Sequence, residues 1–140
     1  MNKTNRRDTN NIFFVLSDKF SMGMLKHMST NGGWHRDDLM TALTPIPTMR
    51  QFYKRIEHLK KIGLVRRENG AKYSLTVYGR LVVYSVQFIE KGEKNQQRLN
   101  ILEEFRKTMP HEEWKDIVIR VIDDPDLSLV AFAPLQEVKL

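Results

Sequence analysis

Hydrophobic residues near the middle of the chain recur at three- and four-residue steps, the period of a helix with one buried face. Between Thr48 and Ile62 they are Met49, Phe52, Ile56 and Leu59. Gly63 follows directly and suits the left-handed conformation that ends many helices. The pattern therefore predicts a helix over 48–62 with Gly63 as its cap.

The pattern changes to short strands immediately after this helix. Leu64–Glu68 and Ala71–Leu75 flank the dipeptide Asn69-Gly70, and both of these turn residues tolerate positive φ angles. We therefore predict a β-hairpin with a two-residue turn. The basic residues around its tip are Arg66, Arg67 and Lys72, with Glu68 as the lone acid.

Upstream, segments 10–16, 18–29 and 35–43 read as three helices. Their expected inward positions are Ile12, Phe13, Val15 and Leu16, then Phe20, Met24, Leu25 and Met28, then Leu39, Met40 and Leu43. Thr44-Pro45-Ile46-Pro47 follows and forces a rigid change of direction, because proline lacks an N–H group and crowds the preceding turn. A short helix, a proline turn and a longer basic helix together predict a helix-turn-helix.

Downstream, Thr76 is the expected cap of a helix that runs to Lys91 and breaks or bends at Gly92. This helix is so apolar that we expect it to be buried on more than one side; its apolar residues include Val77, Leu81, Tyr84 and Phe88. Two further amphipathic helices are predicted at 93–109 and 110–122, followed by a turn at 123–126. Leu127–Phe132 is a short apolar segment for which a strand is one option, and Pro134–Leu140 is a tail.

Charge is unevenly distributed along the 140 residues. Residues 1–91 hold 16 Lys and Arg against 7 Asp and Glu, a net charge of +9, whereas residues 92–140 have a net charge of −3. A basic segment joined to an acidic one indicates that the first part meets a polyanion. The hydrophobic content of 41% is sufficient for a packed core.

The basic residues fall where a helix-turn-helix protein contacts DNA. Opposite its apolar stripe, the 48–62 helix carries Arg50, Lys54, Glu57 and Lys61, and the N-terminal part of such a helix contacts base edges. Arg can bond guanine through two donors and Gln can pair with the adenine edge. The hairpin tip suits phosphates or a minor groove. The candidate DNA-binding residues are Thr48, Arg50, Gln51, Tyr53, Lys54, Arg66, Arg67, Asn69 and Lys72. A solvated helix face and basic edge strands that prevent aggregation are the alternatives.

The run YKRIEHLKKIGLVRRENGAKYSLTVYGR resembles the winged helix-turn-helix of bacterial and archaeal transcription regulators of the broad MarR/PadR-like type. The matching features are Leu59, Gly63-Leu64-Val65, the basic wing, and the closing segment from Tyr73 to Arg80. The resemblance covers roughly residues 18–91 and is specific to the superfamily without selecting a family. It implies DNA binding by the helix at 48–62 and the wing at 64–76, usually as a symmetric dimer.

Other classes of chemistry lack their sequence signatures. The chain contains no cysteine, which excludes disulfides, thiolate zinc sites and cysteine nucleophiles. Its four histidines have no ligand spacing, and no Gly-rich phosphate loop or Gly-x-Ser-x-Gly turn is present. We therefore expect no catalytic residue, metal ligand or cofactor. Without a signal peptide or a long apolar run, the expected location is the cytoplasm, in association with the nucleoid.

These patterns predict a mainly α protein with a small β-hairpin wing, an α+β winged helix-turn-helix, with a C-terminal helical extension. The expected domains are a flexible basic arm at 1–9, a DNA-binding domain at 10–91, and a C-terminal helical extension at 92–140 that dimerises, with packing back onto the same chain as the alternative. The expected function is sequence-specific transcription regulation by a homodimer on double-stranded DNA, with no membrane contact and an unknown effector. The alternatives are a winged-helix subunit for protein–protein contacts and a non-specific architectural nucleic-acid binder.

Overall fold

The computed structural model describes residues 12–30 and 32–132, which are mainly helical with one small antiparallel sheet. The helices are α1 (12–17), α2 (Lys19–Thr30), α3 (Arg36–Ala42), α4 (Met49–Lys61), α5 (Val77–Lys94), α6 (Gln96–Arg106), α7 (His111–Val121) and α8 (Pro125–Phe132). The strands are β1 (Trp34–His35), β2 (Val65–Glu68) and β3 (Lys72–Leu75). The predicted arm at 1–9, the first two residues of the predicted helix at 10–16 and the tail at Pro134–Leu140 lie outside the described residues.

The sheet has the strand order β1-β3-β2, with both pairs antiparallel. Trp34 lies opposite Tyr73, and Val65 lies opposite Leu75. β1 replaces the start of a predicted helix, because His35 has an extended backbone and caps α3 through its Nδ1 atom. Two residues are too few to show the alternation by which a strand is recognised in a sequence.

The β2–β3 turn holds three residues, 69–71, where the sequence predicts two. Gly70 and Ala71 both have positive φ angles, of 75° and 58°. The backbone N–H of Arg36 donates to the carbonyl oxygen of Ala71 at 3.0 Å. This hydrogen bond joins residues that are far apart in the sequence, and it holds Ala71 in the turn. The hairpin is therefore confirmed, but the predicted turn length is wrong.

The chain divides into two compact units, Met1–Val86 and Gln87–Leu140. The core of the first unit is formed by α2, α3, α4, α5 and the hairpin; its fully or nearly fully buried residues include Met24, Leu25, Leu39, Phe52, Ile56, Leu59, Leu64 and Tyr73. Three predicted inward positions are exposed instead. Phe13, Leu16 and Met49 expose 65%, 40% and 46% of their surface. Phe13 and Leu16 each follow a more buried residue, Ile12 or Val15, and so lie on an adjacent side of α1, whereas Met49 is the first residue of α4.

The C-terminal end of α4 is closed by a Schellman motif. Gly63 has a φ of 85° and donates its N–H to the carbonyl oxygen of Lys60, while the N–H of Leu64 donates to that of Leu59. Leu59 and Leu64 are both fully buried and provide the apolar contact that accompanies this motif. The predicted cap at Gly63 is therefore confirmed.

The start of α5 is hydrogen-bonded to the backbone of Gly63 and Leu64, the corner that follows α4. The hydroxyl of Thr76 donates to the carbonyl oxygen of Gly63 at 2.6 Å and accepts the N–H of Gly79 at 3.0 Å, as expected of a helix cap. The N–H of Thr76 donates to the carbonyl oxygen of Leu64 at 3.0 Å. A Cβ atom on Gly79 would overlap that carbonyl oxygen. Helix α5 therefore packs directly on the backbone of residue 64.

In the half of helix α5 that belongs to the first unit, one side is covered within the described residues. Val82 and Val83 are buried, whereas Val77, Leu81 and Tyr84 expose 86%, 59% and 55% of their surface. The prediction that this helix is buried on more than one side therefore fails for its first half, whereas in the second half the partly buried Phe88 packs against the core of the second unit. The helix also continues through Gly92 to Lys94, since a single helical glycine costs only about 1 kcal/mol.

The second unit has its own small core. Its buried residues are Leu102, Trp114, Val118, Ile122 and Leu127.

The segment Leu127–Phe132, for which a strand is one option in the sequence, belongs to helix α8, with Pro125 as its first residue. Asp124 caps this helix by accepting the N–H groups of Leu127 and Asp126. The hydrogen bond from Leu127, followed by the interaction with Lys91, lowers the pKa of Asp124. Among all described helices, none is long and apolar enough to cross a bilayer.

We predict that Gly79→Ala destabilises the protein by about 1–3 kcal/mol, because the new methyl group must displace the backbone at Leu64. The matched control is Gly92→Ala on the same helix, where a Cβ atom would meet no neighbour within 4 Å. This variant should be about 0.5–1 kcal/mol more stable than the unsubstituted protein, because alanine favours helices. Urea unfolding followed by circular dichroism measures both effects. Equal stability of the two variants would contradict the close approach at Gly79.

Candidate nucleic-acid interface

The N-terminal end of α4 is held by a capping box. The Thr48 hydroxyl oxygen accepts the N–H of Gln51 at 3.1 Å, and the Gln51 side-chain oxygen accepts the N–H of Thr48 at 3.0 Å. These reciprocal bonds satisfy two backbone donors that a helix start otherwise leaves unpaired. The spacing Thr-x-x-Gln is the sequence signature of this motif, so this role was available from the sequence.

The capping box restricts two of the predicted base readers. Pairing with an adenine edge requires the side-chain oxygen and nitrogen of Gln51 together, and the oxygen is already bonded to the backbone of Thr48. An adenine contact of that kind would have to use the second lone pair of this oxygen while the side chain stays folded back onto Thr48. Thr48 and Gln51 therefore define where α4 begins. The Thr48 hydroxyl hydrogen and the Gln51 side-chain NH₂ group remain as donors, and the capping box restricts where they lie.

Two cations of α4 face away from the core and are available for a partner. Arg50 and Lys54 are exposed and stand four residues apart, so they lie on the same side of the helix. Neither side chain has a hydrogen bond or ion pair within residues 12–30 and 32–132. Their charges are therefore free for an anion.

Tyr53 connects two helices on the flank of this face. Its hydroxyl oxygen accepts a hydrogen bond of 2.7 Å from the Arg36 guanidinium group, which joins α4 to α3. The same guanidinium group donates to the carboxylate of Asp37 at 3.2 Å. Tyr53 thus has a bracing role in addition to its predicted place beside the DNA-facing side, and Arg36 is a residue that the sequence pattern did not single out.

One basic residue of the hairpin is already paired. Arg66 donates from Nε to the Ser74 hydroxyl oxygen at 3.0 Å and lies 3.5 Å from the Glu68 carboxylate. The Ser74 hydroxyl in turn donates to that carboxylate at 2.9 Å. These three side chains follow from the antiparallel register, which places Arg66 opposite Ser74. Glu68 therefore neutralises part of the charge that Arg66 brings to the hairpin.

The other predicted hairpin residues are exposed. Arg67 and Lys72 have no ion pair within the part of the chain that the structure describes, and Asn69 lies in the turn. Contacts between α4 and β2 make the hairpin a neighbour of α4 in the first unit. We call Arg50 and Lys54 of α4, together with Arg66, Arg67 and Lys72 of the hairpin, the basic surface.

The second half of α4 is anchored by an aromatic and ionic cluster. The His58 ring meets the Phe14 ring edge-to-face at 5.8 Å, and the Arg55 guanidinium group lies 5.4 Å from the centre of the Phe14 ring. Arg55 also pairs with Asp18 at 3.4 Å. Burial, followed by the nearby charges of Arg55 and Lys61, lowers the pKa of His58 below its ordinary value of 6.5. His58 is therefore predominantly neutral at pH 7.

We predict that Thr48→Ala lowers the free energy of unfolding by about 1 kcal/mol, because the N–H of Gln51 loses its acceptor. Thr41→Ala is the matched control: that hydroxyl bonds carbonyl oxygens inside α3 and caps nothing. Thr41→Ala should leave stability within about 0.5 kcal/mol of the unsubstituted protein. Thermal unfolding followed by circular dichroism measures both, and equal losses would contradict a capping role for Thr48.

We predict that His58 destabilises the fold in acid. Because the pKa of His58 is lower in the folded protein, the stability it contributes is full above pH 6.5 and is lost as the pH falls below that value. In urea titrations, the difference in unfolding free energy between the unsubstituted protein and His58→Gln should be constant above about pH 7.5 and decrease towards about pH 5. A difference that is independent of pH would contradict the lowered pKa.

The comparisons with known proteins add no further assignment. No protein-family model, curated protein or solved structure matches the chain. In residues 12–30 and 32–132, no group of three His, Asp or Glu side chains is arranged to hold a metal ion. Geometry and charge on the basic surface are therefore the basis on which a function is proposed.

Proposed function

We propose that this protein is a winged-helix, sequence-specific transcription regulator in which α4 enters the major groove of double-stranded DNA and the β2–β3 hairpin is the wing. One observation carries the proposal: two neighbouring elements of one unit expose cations that have no carboxylate partner in the described ranges. These cations are Arg50 and Lys54 on α4 and Arg67 and Lys72 on the hairpin.

The dimensions and chemistry of α4 fit a DNA groove. Its 13 residues span about 20 Å, and the major groove is about 12 Å wide, which admits a helix. Arg50, in the first turn of α4, has the five-donor fork that bonds guanine O6 and N7 together. Lys54 lies one turn further along. The cations of the hairpin contact the phosphate backbone or the adjacent minor groove, where they add affinity without reading sequence.

The regulator acts as a homodimer assembled through residues 80–122. Support comes from large apolar side chains that are exposed on helices α5, α6 and α7; they are Leu81, Tyr84, Ile89, Ile101, Phe105 and Ile119. Exposed apolar surface of this kind is a feature of protein interaction sites. Two copies of α4 then enter successive major grooves of a palindromic site, about one helical turn apart.

The same exposed side chains favour a second candidate function, a winged-helix subunit that binds other proteins in a larger assembly. Selection of a binding site from a random DNA library at near-physiological salt, with the mass measured by light scattering, separates the candidates. A palindromic motif and a dimeric mass support the regulator. Uniform binding supports an architectural nucleic-acid binder, and no binding at low salt supports the protein-interaction subunit.

On the selected site, we predict that Arg50→Ala and Lys72→Ala weaken binding in different ways. Arg50→Ala should cost about 1–3 kcal/mol and relax preference at one base position. Lys72→Ala should weaken binding to all sequences alike and reduce the slope of log K against log salt by about 0.9. Arg66→Ala should reduce that slope by less, because Glu68 already neutralises part of its charge.

The charge control for these variants is Lys19→Ala, which removes one exposed cation from α2, outside the basic surface. Its affinity should stay within about twofold of the unsubstituted protein. Fluorescence anisotropy at several salt concentrations gives both the affinity and the slope. If Arg50→Ala and Lys72→Ala changed specificity in the same way, the division between base reader and phosphate contact would be wrong.

A further inference from the structure

We propose that Ile46 and Met49 bind the C5-methyl groups of thymine, so that the recognised DNA site carries thymine beside the base read by Arg50. This inference rests on the proposed function. It assigns to the start of α4 an apolar reader of A·T base pairs, next to a cationic reader of guanine.

The first observation is that two large apolar side chains are exposed where α4 begins. Ile46 exposes 65% and Met49 exposes 46% of its surface, although the pattern of the sequence predicts Met49 in the core. They lie on either side of Pro47 and Thr48, and Met49 is the first residue of the helix. In helix-turn-helix docking, this end of the helix meets the base edges.

The charge around these side chains selects the partner. Arg50 directly follows Met49, and Lys54 lies on the next turn; both are exposed cations without an ion pair among the described residues. A surface of this kind attracts a polyanion. In the DNA major groove, the one apolar group on a base edge is the C5-methyl group of thymine. An apolar side chain within a cationic DNA-facing surface therefore matches thymine.

The capping box leaves a gap in base recognition that these residues fill. Because the side-chain oxygen of Gln51 is bonded to the backbone of Thr48, the usual amide reader of adenine is engaged in the helix start. Arg50 and Lys54 carry donors only, and their preferred partner in the groove is guanine. Recognition of an A·T pair at this end of α4 then falls to its thymine methyl group.

Ile46 is also held in place before any partner arrives. It stands between Pro45 and Pro47, and the residue before a proline is restricted to extended conformations. Its branched Cβ further limits the side-chain rotamers. Contact with a methyl group therefore orders few additional torsions, which limits the entropic cost of binding.

The test replaces each thymine of the selected site, one at a time, with deoxyuridine, which lacks only the methyl group. Fluorescence anisotropy at constant salt measures the dissociation constant of each duplex. For the unsubstituted protein, uracil at one or two positions should weaken binding about fourfold for each methyl group lost from contact. In Met49→Ala and Ile46→Ala, the uracil penalty should disappear at the position that each residue reads.

Two controls keep the result specific. Met49→Leu retains an apolar side chain and should retain the uracil penalty. Phe13→Ala removes from α1 an apolar residue that is as exposed as Ile46, and it should not change the uracil penalty. If the protein binds its selected site but tolerates uracil at every position, or if the site contains no thymine, the inference is overturned and the proposed function stands. Failure to select any site overturns both.

Discussion

The first unit depends on one close approach between two backbones, where α5 meets the carbonyl group of Leu64. Only a glycine at position 79 leaves room for this contact. Thr76 reinforces the contact by bonding backbone groups on both sides of it, at Gly63 and Gly79. The end of α4, the base of the hairpin and the start of α5 are thereby joined within a few residues. The relative placement of α4 and the hairpin, and with it the basic surface, follows from this corner.

The parts of this fold that sequence could predict are those encoded by neighbouring residues. The period of the 48–62 helix and the cap at Gly63 are local, and the structure has both. The three-residue turn is different, because Ala71 is held there by a bond from Arg36, which is distant in sequence. Helix α8 was readable from the order Asp, Pro, Asp, in which Asp124 caps the helix and proline starts it.

The residues of the candidate site likewise divide into those that follow from local spacing and those that depend on contacts between elements. Arg50 and Lys54 could be predicted from helical spacing, because the side opposite an apolar stripe faces solvent. Arg66 and Glu68 are two residues apart on β2 and so share a face, but the Ser74 hydroxyl group that joins them comes from β3, and the bond between Tyr53 and Arg36 joins different helices. Periodicity also cannot show where a core ends. It therefore predicts Met49 in the core together with the rest of its stripe, although Met49 is exposed.

The proline turn before α4 has a thermodynamic consequence for the proposed complex. Pro45 and Pro47 fix two backbone torsions in four residues, and the capping box fixes the first turn of the helix. Because this segment is already ordered, its folding should contribute nothing to the heat-capacity change on binding DNA. Stability and specificity are then carried by different residues. Exposed positions on α4 can be exchanged to recognise another site while the frame beneath them stays the same.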